Sequence, residues 1–169
     1  GIESTTLVSA AVSLAIEGER DFLPKALKFV ESQPPRGNWS AKASVAARVK
    51  MFMGWAASEG GTMSDEEFAI ILRRDCGTSV EANESVAAAF AIATRFFDRP
   101  TEALCFAASL GGDTDTIAAI TGAMLGAWHG ADGFDQAIVG RVLRRLKDDN
   151  RLDVDRTVAG LLTLRGREG

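Results

Sequence analysis

The stretch that decides the fold is Leu110-Gly111-Gly112-Asp113-Thr114-Asp115-Thr116-Ile117-Ala118-Ala119-Ile120-Thr121-Gly122-Ala123-Met124-Leu125-Gly126-Ala127-Trp128. A glycine pair stops one helix, a cluster of oxygen-bearing side chains begins the next, and the apolar run that follows shows no alternation at period two. Asp113 or Thr114 stands where a helix cap is wanted, and Asp115 stands in the first turn, where the helix dipole favours negative charge. Ile117 to Trp128 is the most apolar part of the chain, yet it falls well short of the roughly 20 residues that a membrane-spanning helix needs. It is expected to be a core helix of a soluble protein.

The neighbouring segments repeat this pattern. Thr101 to Leu110 reads as the preceding helix, set off by Asp98-Arg99-Pro100, and Ser85 to Phe97 reads as an alanine-rich helix buried on most sides. Gly77-Thr78-Ser79-Val80-Glu81 reads as a loop, and Ser64 with Glu67 forms a capping box that predicts a helix from about Asp65 to Arg74. Further upstream, Leu7, Val8, Ala11, Leu14 and Ala15 share one helix face that Gly18 ends. Phe22, Ala26, Phe29 and Val30 mark a second face, closed by Gln33-Pro34-Pro35-Arg36-Gly37. Val45, Val49, Phe52 and Met53 carry a third through Trp55 to the break at Glu59-Gly60-Gly61. Beyond Gly130-Ala131-Asp132-Gly133, Phe134 to Lys147 and Val154 to Leu164 are amphipathic. With no strand pattern and no internal repeat, the chain reads as all-α, about eight helices in a single unit over residues 1–169.

Composition narrows the function. The 169 residues are 46% hydrophobic and 25% charged, with a formal net charge of −4, which excludes a disordered or collagen-like chain. An acidic balance gives no broad attraction to phosphate backbones or anionic lipid, so neither nucleic acid nor a membrane is expected as a partner. Cys76 and Cys105 form no C-x-x-C pair, and a reducing, cytoplasmic location is expected. The opening Gly1-Ile2-Glu3-Ser4 has neither a basic nor an apolar leader region, so no signal peptide is expected.

Chemistry concentrates at residues 113–116, where two carboxylates and two hydroxyls follow the glycine pair. Oxygen donors at i, i+2 and i+3 of a helix start can converge on a hard cation such as magnesium or manganese. The same residues also suit plain capping and dipole compensation, and spacing leaves both readings open. Three protein ligands cannot saturate such a cation, so water, substrate or donors from elsewhere are required. The other acidic clusters, Asp148-Asp149 and Asp153-Val154-Asp155, lie among Lys147, Arg151 and Arg156 and read as solvated helix ends. Arg141, Arg144, Arg145 and Lys147 read as a solvated basic face. His129, the sole histidine, reads as a capping or surface group, and Trp39, Trp55 and Trp128 as core. Gly122 and Gly126 read as places where a neighbouring backbone comes close.

Gly111-Gly112-Asp113-Thr114-Asp115-Thr116 and the helix after it resemble the C-terminal signature of the ADP-ribosylglycohydrolase family. Gly77 through Glu84-Ser85-Val86-Ala87 resembles that family's Gly-rich loop and Glu-Ser-Val-Pro helix start, with Ala87 where proline is usual. The resemblance is specific over about residues 77 to 130 and looser on both flanks. It implies a compact all-α fold with a two-magnesium centre in a cleft for ADP-ribose. Asp113, Asp115 and Thr116 become the implied metal ligands, Asp115 the one most suited to bridge two ions. Gly77, Ser79, Glu84 and Ser85 become the implied substrate-binding residues, although Asn83 or Ser85 capping a helix is an equal reading of the same loop.

The family's N-terminal Gly-Asp-Ala-Leu-Gly-like segment and Thr-Asp-Asp-Thr metal motif do not occur in this sequence, and Gly1 to Glu17 resembles a helix near the middle of such enzymes. The resemblance therefore implies a C-terminal half that works with a complementary N-terminal chain, where the catalytic residues are expected. Two functions follow. One is a magnesium-dependent hydrolase, manganese being an alternative ion, that cleaves the glycosidic bond of ADP-ribosyl groups on proteins or small molecules. The other is a non-catalytic helical module of the same ancestry.

Overall fold

A computed structural model describes residues 1–34 and 41–165. Among these are ten α-helices and no strand. By their contacts they form two compact units, Gly1–Gly133 and Phe134–Gly169. No helix among the described residues is long and apolar enough to cross a membrane.

In the first unit, α1 (Ile2–Ile16) buries Ser4, Leu7, Ala11 and Ala15 and packs on α2 (Phe22–Glu31) and α8 (Thr114–His129). Gly18 has φ +80, the left-handed conformation that favours glycine just past a helix. The centre is α6 (Ala82–Arg95), buried continuously from Ser85 to Ala93, on which α3 (Val45–Ala57) makes the most extensive packing. Five of those residues are alanines, and small side chains bring helix backbones close with little loss of rotamer freedom. Phe22, Phe68, Phe90, Phe96, Leu72 and Met124 fill the space between helices. Here α6 begins three residues earlier than the sequence predicts.

The capping box forms as expected. The Ser64 hydroxyl accepts from the Glu67 amide at the head of α5 (Asp65–Ile71), and the Glu67 carboxylate accepts from the Ser64 amide. What periodicity does not show is the continuation of α5 as a π-helical turn, Leu72–Cys76. At Glu59-Gly60-Gly61, where a plain break is predicted, Ser58 turns the chain into a one-turn helix, α4 (Glu59–Thr62). The segment α7 (Pro100–Ser109) starts with proline at its first position, where no amide hydrogen is needed.

Some expected core positions differ. Phe29 is 48% exposed, because Leu23 and Leu27 take the inner face of α2 instead. Trp55 and Trp128 are half-buried; Trp55 stacks on Phe68 at 4.7 Å between centroids, and Trp128 lies over Phe22 at 6.1 Å. Trp39 lies outside the described residues, as do Pro35, Arg36 and Gly37. His129 neither caps nor faces solvent freely: its Nε2 bonds to the Phe97 carbonyl at 2.6 Å, tying the end of α8 to the turn after α6. At Gly122 the close neighbour is a side chain, Leu104, and not a backbone.

The second unit holds α9 (Gln136–Asp148) and α10 (Val154–Arg165). Asp135 caps α9 by accepting from the Ala137 and Ile138 amides at 2.9 and 3.0 Å. The basic face of Arg141, Arg144 and Arg145 is exposed, and Arg145 lies 3.8 Å from Asp149, a solvated pair as expected.

Candidate metal and substrate site

Three segments of the first unit meet around Thr78: the π-helical turn with the loop after it, the start of α6, and the link between α7 and α8. Gly77, Gly111 and Gly112 adopt φ of +79, +89 and +81, which a side chain would strain. Space excludes a side chain at Gly112 as well, and at Gly77 one would displace the Glu84 carboxylate. A Cβ on Gly77 would come within 2.4 Å of the Glu84 carboxyl group, and one on Gly112 within 2.2 Å of the Thr78 carbonyl oxygen. That carbonyl accepts from the Asp113 amide at 2.7 Å, so the two loops are joined backbone to backbone.

Arginines hold the surrounding backbone. Arg73, on the π-helical turn, donates from Nη1 to the Leu110 carbonyl at 3.2 Å. Arg48, from α3, donates to the Asp75 carbonyl at 3.2 Å and to the Cys76 carbonyl, while its buried Nε has no partner. Buried carbonyls at the end of a helix need such donors.

Among the residues expected to bind substrate, the Glu84 carboxylate accepts from the Ser79 amide at 3.1 Å, and the Ser79 hydroxyl accepts from the Glu81 amide at 3.3 Å. Hydrogen bonding by the Ser79 hydroxyl and amide, with help from the Arg48 and Lys42 cations, holds the Glu84 carboxyl below its ordinary range. Gly77, Ser79 and Glu84 thus form one closed loop. Ser85 differs: it is 3% exposed and its hydroxyl donates to the Glu81 carbonyl at 3.3 Å. Neither it nor Asn83 caps α6, whose N-cap is Glu81. Cys76 is buried beneath the loop, and burial pushes its thiol up to about 12, so it is no nucleophile at neutral pH.

Of the three expected metal ligands, Asp113 occupies the N-cap of α8 yet makes no side-chain cap bond. Asp113 and Thr116 are half-buried and Asp115 is exposed. No side-chain hydrogen bond or ion pair engages these three among the described residues. Nor does any group of three His, Cys, Asp or Glu side chains suited to a metal occur among them. The site as built offers two carboxylates and one hydroxyl from one turn, a donor set that suits a hard cation and leaves coordination positions to be filled.

A model of the ADP-ribosylglycohydrolase family matches residues 1–168. The chain belongs to that family. It is 30% identical over 169 residues to the uncharacterized protein YegU of Escherichia coli (strain K12), a match that covers 97% of this chain and 48% of that protein. The chain therefore spans about half the length of the curated relative it matches. No solved structure matches it.

In this ADP-ribosylglycohydrolase family member, the sequence singles out Asp113, Asp115 and Thr116 and the Gly77 loop as candidates but carries no sign of the groups that hold their backbone. Arg73 stands there only as part of the helix predicted from Asp65 to Arg74, and Thr78 as part of a loop. Their contacts go to backbone carbonyls and amides more than thirty residues away, and a carbonyl carries no side-chain signature.

Proposed function

We propose that this chain supplies the C-terminal portion of a magnesium-dependent hydrolase that cleaves the glycosidic bond of ADP-ribosyl groups, working with a complementary N-terminal portion. The observation that carries the reading is the set of three oxygen side chains, Asp113, Asp115 and Thr116, left unengaged on a turn whose backbone is held from outside. Capping would have used the Asp113 carboxylate, and it does not. Membership of the family and the relative's greater length add support.

In this reading Asp113, Asp115 and Thr116 would hold magnesium, and the complementary portion would supply further ligands and the acid–base groups. Magnesium, when bound, supplies orientation of ribose hydroxyls or water and stabilisation of charge as the glycosidic bond breaks. The Gly77 loop binds. The amides of Gly77, Ser79 and Glu81 are already engaged within the chain, leaving those of Thr78 and Val80 for a phosphate oxygen. Glu84, held as a carboxylate, keeps the loop closed by accepting from the Ser79 amide. Ser85 contributes by fixing the start of α6. The cytoplasm is the proposed location, where Cys76 and Cys105 stay reduced.

The test is ADP-ribose release from arginine- and serine-linked substrates by this chain combined with its complementary portion, identified by comparing intact mass under native and denaturing conditions. Release that requires magnesium and is lost in Asp115→Asn is expected, whereas release unaffected by that substitution contradicts the assignment. A second reading, a non-catalytic binding module, draws on the lack of a three-group acidic cluster among the described residues. It predicts magnesium-dependent ADP-ribose binding without release.

A further inference from the structure

We propose that Arg73 is a positioning residue for the metal ligands, and that with the Thr78 carbonyl it makes the Gly77 loop and the ligand-bearing turn one mechanical unit. The inference rests on the metal reading of Asp113, Asp115 and Thr116. Nothing local fixes that turn: residues 111 and 112 are consecutive glycines at positive φ, and the cap of α8 lacks a side-chain bond. Such a segment has many accessible conformations unless something distant selects one.

Two contacts do so from opposite ends. At the upstream end, the Leu110 carbonyl, freed at the end of α7, accepts from Arg73 at 3.2 Å. At the downstream end, the Asp113 amide donates to the Thr78 carbonyl at 2.7 Å, and Gly112 leaves the room that Thr78 fills. Arg73 and Thr78 lie on either side of Cys76, whose carbonyl Arg48 holds. The ligands on the first turn of α8 therefore take their position from the π-helical turn and the loop that follows it.

The sign of the effect separates positioning from charge. Arg73 places a cation beside the metal-bearing loop, and simple Coulomb repulsion would make its removal tighten metal binding. Loss of a supporting partner weakens metal binding, by about 10- to 100-fold in known sites. Arg73 itself is exposed, so its removal leaves the core intact.

The experiment uses the full 169-residue chain assembled with its complementary portion, with Mn2+ as the probe. Free Mn2+ is read by electron paramagnetic resonance, and amide hydrogen exchange is followed over residues 110–116. Arg73→Ala is expected to weaken Mn2+ binding about tenfold and to speed exchange in that segment without lowering the unfolding midpoint. Arg73→Lys, which retains a donor and the charge, is expected to restore most of the affinity. Gly112→Ala, which breaks the Thr78 contact instead, is expected to weaken Mn2+ binding and speed exchange in the same way, and to lower the unfolding midpoint because its backbone is strained. Mn2+ binding that is unchanged or tighter in Arg73→Ala overturns the positioning role alone. No Mn2+ binding by the unsubstituted chain assembled with its complementary portion overturns the metal reading and this proposal with it.

Discussion

At the start of α5, the Ser64 hydroxyl accepts from the Glu67 amide at 3.2 Å and the Glu67 carboxylate accepts from the Ser64 amide at 3.0 Å. At the start of α8, Asp113, Asp115 and Thr116 make no comparable bond. Both turns are acidic and both carry hydroxyl and carboxylate side chains, so composition does not distinguish them. The difference lies in who holds the backbone. In α5 the side chains of the turn satisfy its own amides, and they are thereby spent on the fold. In α8 the loop is held by Thr78 and Arg73, and the side-chain oxygens stay available to a ligand.

Each turn also has an arginine clamp, and the two clamps differ in burial. Arg95, with its side chain 6% exposed, donates to the Met63 carbonyl at 2.6 Å and to Asp65 at 2.8 Å, and bonds the Gly60 carbonyl. Its guanidinium lies 4.6 Å from the centroid of the Phe68 ring. Replacing Arg95 with Met strands two carbonyls and is expected to cost about 3 kcal/mol of stability in urea unfolding. An equal loss in Arg73→Ala would erase the contrast, since that exposed side chain is expected to change stability by no more than about 0.5 kcal/mol.

The next largest effect is at the caps. Ser64→Ala is expected to destabilise by about 1 kcal/mol, while Asp113→Asn is expected to stay within about 0.5 kcal/mol, both read from chemical denaturation without metal. If Asp113→Asn costs as much as Ser64→Ala, Asp113 is a cap after all.

These contrasts show what a sequence can carry. The glycines that end helices, Gly18, Gly77 and Gly130, adopt positive φ, and the Ser64–Glu67 box is visible because both partners are side chains close in the chain. The cluster Asp113-Thr114-Asp115-Thr116 is visible because its oxygen-bearing side chains lie together in the chain. Arg48, Arg73, Thr78 and Arg95 act across the fold on carbonyls and amides that every residue possesses, so periodicity and spacing are blind to them. Phe29 shows the related limit: helical spacing places it with Phe22 and Ala26, but Leu23 and Leu27 compete for the same interior.

Acid separates the turns more finely. Hydrogen bonds from the Ser64 hydroxyl and amide hold the Glu67 carboxyl below its ordinary value of 4.5, and Ser79 does the same for Glu84. A depressed folded value means stability that is present above the unfolded value and lost as pH falls through the folded one. Unfolding midpoints are therefore expected to drop as pH falls below about 4.5, with a shallower slope in Glu67→Gln. An unchanged slope would show that the box does not hold the carboxylate.

The smallest effect concerns the thiols and the one buried hydroxyl of α8. Maleimide is expected to modify exposed Cys105 and to spare Cys76 in the folded chain; labelling of both would mean that the floor beneath the Gly77 loop opens. Thr121, fully buried with its Oγ1 unpartnered, is expected to tolerate Val within about 0.5 kcal/mol.

The most direct measurement is the thermal unfolding midpoint of the chain with and without saturating Mg2+, compared with Asp115→Asn. A ligand that binds the folded state raises the midpoint by mass action. Equal midpoints are expected for the two proteins without magnesium, and a rise with magnesium in the unsubstituted chain alone. An equal rise in both would show that the oxygens of the α8 turn are not the metal ligands.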